Sequence, residues 1–193
     1  MPSLFDIYGA MEDPWDLDVE DSDFFISALQ DIVDRACPQE QYTVVKGDVV
    51  YRIARQQMYE WHRGFIKSAG KAIKTSIAER FGANPPVSTI KSFVAQAIAP
   101  GGEAFSGPVK NKSTLQPFRS PFVLKTIAYH LVAMQGTLFE DHQYPIGALA
   151  LSLVSVQMAF NMYASGKLVP NNGFTNENAG SLTREYTRGD DFA

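Results

Sequence analysis

At 193 residues, with 45% hydrophobic and 20% charged side chains, the chain is long enough to bury a sizeable core and favours one domain over two. Its single cysteine, Cys37, excludes an intramolecular disulfide, and the N-terminus lacks the cationic and apolar regions of a secretory signal, so an intracellular setting, cytoplasm or nucleus, is expected. The net charge of −4 conceals a segregation: residues 1–40 carry eleven acids and one base, residues 41–130 thirteen bases and four acids, and residues 131–193 three bases and six acids.

Residues 1–20 crowd acids around Pro14 and Trp15 without a sustained period, which predicts a mobile acidic arm whose few apolar residues can dock on the body. A helical domain is expected over 21–188, followed by a frayed tail at 189–193. Phe24, Phe25, Ala28, Leu29, Ile32, Val33 and Ala36 recur at three- and four-residue steps, the stripe of an amphipathic helix opened by Asp21 or Ser22 and closed by Pro38. A longer stripe follows from about Gly47 to Phe81 through Val50, Ala54, Met58, Trp61, Phe65, Ala69, Ile73 and Ile77. Gly64 and Gly70 each weaken helix propensity by roughly 1 kcal/mol relative to Ala, which makes Gly64 the place where this helix would kink or break.

Asn84-Pro85-Pro86 interrupts the pattern, and Ser88 is expected to cap a short helix carrying Ile90, Phe93, Val94 and Ile98. Ser120-Pro121 has the N-cap and first-turn arrangement of another helix, with Phe122, Val123, Ile127, Leu131 and Val132 on its stripe up to Gly136. Pro145 opens a helix to about Ser165, with Gly166 as the residue beyond its end. This segment is apolar on nearly every side, and its Ser, Gln and Asn residues favour the centre of a bundle over a membrane span. A last polar helix is expected over Thr175–Thr187. With no convincing alternation beyond Tyr42–Val45, the fold class is all-α: a single-domain bundle of about five to seven helices around the apolar helix 145–165.

Chemistry is hard to find along this chain. Lys71 is preceded by Gly64 and Gly70, but the spacing and the following Ala72 do not make a phosphate loop, which needs amides converging on phosphate and a hydroxyl for magnesium. Cys37 has no adjacent base, and Ser106 lacks the glycine frame of a nucleophile elbow. His62, His130 and His142 stand in no paired metal spacing; Glu140, Asp141 and His142 cluster before Pro145 and read better as a solvated turn than as a cation site. Trp61 belongs to the apolar stripe, with His62 at its boundary. No catalytic residue, metal ligand or cofactor is therefore assigned.

The remaining candidate is a surface. At 100° per residue, Arg52, Arg63, Lys67, Lys71 and Lys74 fall within an arc of about 100°, opposite most of the apolar stripe. Such a face suits a non-enzymatic interaction module that binds a protein or acidic partner or self-associates, and alternatively a binder of nucleic acid or chromatin, with Lys110, Lys112, Arg119 and Lys125 adding cations. An enzyme with a pocket assembled from distant residues is a third reading.

Three blocks in order, Tyr51-RIARQQMYEWHRGF-Ile66, Pro117-FRSPFVLKTIAYH-Leu131 and Tyr144-PIGALALSLVSVQMAFNMYASG-Lys167, resemble a large family of uncharacterised all-helical domains of mushroom-forming fungi. The resemblance spans roughly residues 22–187 and implies one all-α intracellular domain, with no catalytic residue to carry over. The third block departs from it, holding Ala159-Phe-Asn-Met-Tyr163 where relatives place acids and a Trp, so any role of those acids is in doubt here.

Overall fold

A computed structural model describes residues 1–17, 23–107, 117–170 and 173–188. Among the described residues there are seven helices: α1 (Pro2–Ala10), α2 (Phe24–Ala36), α3 (Val49–Phe81), α4 (Val87–Ile98), α5 (Pro121–Ala133), α6 (Ile146–Asn161) and α7 (Asn176–Arg188). The fold is all-α, and the Tyr42–Val45 segment forms no strand. None of these helices is long and apolar enough to cross a membrane.

α6 is the centre of the bundle, packing against α1, α3, α4, α5 and α7. Its two sides serve two cores. Ala148, Leu151, Val154 and Met158 join Leu4, Tyr8, Phe25, Leu29, Met58, Trp61 and Phe65 around the first half of α3. Leu153, Val156, Ala159 and Phe160 join Ile73, Ile77, Phe93, Val94, Phe122 and Val123 around its second half. The helix ends at Asn161, a turn before the expected boundary, because Tyr163, Ala164 and Gly166 bond the carbonyls three residues back and Gly166 turns the chain at φ +83.

α3 runs unbroken for 33 residues. Its N-cap is Asp48, whose carboxylate accepts from the Tyr51 amide at 2.7 Å, the Val45 amide at 2.9 Å and the Tyr42 hydroxyl at 2.7 Å. The amides of Val45 and Tyr51 hold this carboxyl below its ordinary range. Gly64 breaks nothing: a Cβ there would lie 2.0 Å from the Tyr129 ring, so the missing side chain is what lets α5 lie against α3. α4 begins one residue before the expected Ser88 cap, because Pro86, already at φ −57, offers its carbonyl to Thr89 and Ile90. α5 starts as expected, the Ser120 hydroxyl accepting from the Phe122 amide at 3.0 Å.

The N-terminal segment departs most from its expectation. Over residues 1–17 there is no mobile arm: α1, with Pro2 in its first turn, packs on α2, α5 and α6, and Leu4, Tyr8, Trp15 and Leu17 are buried. Trp15 stacks on His62 at 4.2 Å and donates its indole N–H to Thr183 at 3.0 Å. Asp13 pairs with Arg184 at 3.0 Å, which ties the same segment to α7. The boundary expected at residues 20 and 21 lies outside the described residues. The expected caps Asp21 and Ser22 lie outside the described residues, as does the tail 189–193; α2 begins after Asp23.

Candidate functional site

The five cations of α3, Arg52, Arg63, Lys67, Lys71 and Lys74, are all exposed on the outer side of the helix. They are not equivalent. Glu60 stands among them and pairs with Arg63 at 3.2 Å and Lys67 at 3.7 Å, partly neutralising that turn. Lys71 and Lys74 pair with no acid among the described residues. Arg52 lies a few turns away in a shallow groove with Val49, Ile53, Gln56 and Gln57, where Val49 and Ile53 are exposed. Two acids of the described N-terminal segment are engaged elsewhere: Asp6 pairs with His142, and Asp13 with Arg184.

α5 runs antiparallel beside α3, since Gly64 meets Tyr129 while Ser68, one turn further on, donates to the Lys125 carbonyl at 3.2 Å. Lys71 stands seven residues after Gly64, within about 20° of the row that meets Tyr129, so the cations border α5. Tyr129 is half-buried at this seam, and its hydroxyl is pushed above its ordinary value by burial and by Glu60. α5 buries Phe122, Val123, Thr126 and His130. Its outer side is apolar too: Leu124 is 52% exposed, Leu131 50% and Val132 63%, with Ala128 exposed between them and Lys125 alongside. These positions, i, i+4, i+7 and i+8, form one row along the helix. Leu131 and Val132, on the expected stripe of α5, thus lie at the surface. α3 and α5 pack side by side, one with exposed cations and the other with an exposed apolar row.

Beneath this surface the ionisable groups are silent. His62 is buried to 1% exposure, not at a boundary; its Nε2–H donates to the Pro14 carbonyl at 2.9 Å, which places the proton on Nε2 and leaves Nδ1 buried without a partner among the described residues. Burial lowers its pKa to about 4, against which the Pro14 bond acts only weakly. His130, packed against Trp61, Phe65 and the backbone of Gly9, is likewise lowered to about 4 by burial, with Asp6 opposing. Cys37 is exposed at the end of α2. No group of three or more His, Cys, Asp or Glu among the described residues is arranged to hold a metal ion.

A family model for a domain of unknown function, DUF6532, matches residues 3–187. The chain belongs to the DUF6532 family. The match takes in the N-terminal helix that the three sequence blocks left out, in keeping with the packing of α1 on the body. No curated protein and no solved structure matches the chain significantly. As a DUF6532 domain, the molecule has its function argued from its own surface.

Proposed function

We propose that this DUF6532 domain is a non-enzymatic interaction module that binds an acidic protein partner across α3 and α5. One observation carries the reading: the exposed row Leu124, Ala128, Leu131 and Val132 lies on α5, which packs against the helix that carries the exposed Lys67, Lys71 and Lys74. Exposed leucines on consecutive turns are costly in water unless a partner covers them, and cations at their edge select for acids. An intracellular setting, in cytoplasm or nucleus, suits the exposed, unpaired Cys37, and the three-block resemblance favours a fungal source.

The second reading, nucleic acid or chromatin bound through Arg52, Arg63, Lys67, Lys71 and Lys74, draws on the same cations. It is weakened by the burial of Trp61 and Phe65, which leaves no aromatic of α3's inner stripe to stack on bases. The two readings separate by substitution. Lys67→Glu with Lys71→Glu and Lys74→Glu removes either partner, whereas Leu131→Asp with Val132→Asp removes only a protein partner. Affinity purification from native cells with wild type and both variants checks this. A partner kept by both variants sinks the proposal, and salt-sensitive DNA retention lost only in the lysine variant supports the second reading.

A further inference from the structure

We propose that the cleft between α1, the start of α2 and the loop 139–143 binds a small organic amine: an ammonium group carried on an apolar body. The cleft encloses about 370 Å³, within the range of small-molecule sites. Ile7, Met11, Phe24 and Phe139 supply apolar walls, and the two acids on the lining are Asp6 and Asp141. Asp6 is the decisive group. It is 7% exposed, and its Oδ2 accepts both the Thr137 hydroxyl at 3.1 Å and the His142 Nδ1–H at 2.9 Å. Its Oδ1 takes no hydrogen bond from any described residue.

A carboxylate that keeps only a small part of its surface in water attracts a cation more strongly than a fully exposed one, and an ammonium group entering the cleft supplies the donor that its second oxygen lacks from the protein. The second carboxylate, Asp141, makes a cationic donor better than a neutral one. Arg35, whose guanidinium lies 5.1 Å from the Phe139 ring, does not fill this role, because it is held by Asp31 at 2.9 Å. Thr137 and His142 fix the Asp6 side chain from the far oxygen, so the free one is preorganised. The site shares no residue with the α3 and α5 surface and stands or falls without it.

The probe is 2-phenylethylamine, with 2-phenylethanol as its neutral counterpart, titrated at pH 8 into the full chain by two-dimensional amide NMR. The amine is expected to shift Ile7, Met11, Phe24 and Phe139, and to bind about ten-fold more tightly than the alcohol. Asp6→Asn brings the amine down to the alcohol's affinity. Ala10→Leu, which fills the cleft from its α1 wall and leaves the bonds of Asp6 in place, abolishes binding of both. Equal affinity for the two probes, shifts elsewhere, no shifts, or binding that ignores these substitutions overturns the proposal. If Asp6→Asn does not fold, by far-ultraviolet circular dichroism, Ala10→Leu and the amine-to-alcohol comparison decide alone.

Discussion

The two cores on either side of α6 are built from different chemistry. Around the second half of α3 the buried side chains include Ile73, Ile77, Phe93, Val94, Phe122, Val156 and Phe160, and none of the buried histidines among the described residues. Around the first half, two neutral histidines and two tryptophans are packed among Tyr8, Phe65 and the N-terminal chain. Apolar packing is insensitive to proton activity, whereas a buried imidazole is stable only while it stays uncharged. One half of the molecule is therefore held without a buried imidazole, and the other by packing and protonation state together.

The strongest way to break this comparison is Phe160→Ala. It removes a fully buried ring from the second core and is expected to cost about 3–5 kcal/mol, by the same amount at pH 7.5 and pH 5 in urea titrations. Acidification attacks the other core. His62 and His130 have folded-state values of about 4, below the ordinary 6.5 of the unfolded chain, so the unfolded state takes up protons first as pH falls. Stability from these groups is complete above pH 6.5 and is lost progressively down to about pH 4, by about 3 kcal/mol for each imidazole. His62→Gln, whose amide can still donate to Pro14, is expected to flatten that slope by roughly half. An unchanged slope would show that His62 is not one of its sources.

Smaller effects sharpen the contrast within α3 itself. Gly64→Ala drives a methyl into the Tyr129 ring and is expected to destabilise by about 1–3 kcal/mol. Gly70→Ala meets nothing within 4 Å and is expected to stabilise by up to about 1 kcal/mol. Opposite shifts in thermal midpoint for two identical changes on one helix are the signature to measure. Lys71→Glu alone is expected to change stability by less than about 0.5 kcal/mol, since its side chain pairs with no described acid.

The helices that the sequence announces are those with several turns of repeated spacing. α2, α3 and α6 carry enough apolar positions for the period to be unmistakable, and their placement follows from it. α1 offers only nine residues, with Leu4 and Tyr8 as its two fully buried apolar side chains, in a segment dominated by acids. Composition there outweighs pattern, although Pro2 ahead of Leu4 and Tyr8, four residues apart, was a readable signal. Trp15 and His62 are 47 positions apart, so their stacking is invisible to any local rule. The same holds for the Asp6 cleft, which is assembled from α1, α2 and the loop before α6. The cations of α3 were legible because helical geometry alone sets their arc. Their neighbour on α5 was not, because Leu131 and Val132 satisfy the spacing of a buried stripe while lying outside it.

α6 lends one flank to each core, and this has a kinetic meaning. Neither core can open while the other stays intact unless α6 keeps its place, so the amides of Leu151–Phe160 should exchange with solvent only through whole-molecule opening. Those of α7, which fully buries only Ala179, Gly180 and Thr183 and half-buries Leu182 and Tyr186, should exchange through partial excursions that leave the rest folded. The molecule then has one cooperative spine and a detachable flank, and Trp15, whose indole is bonded to Thr183, sits at the joint between them.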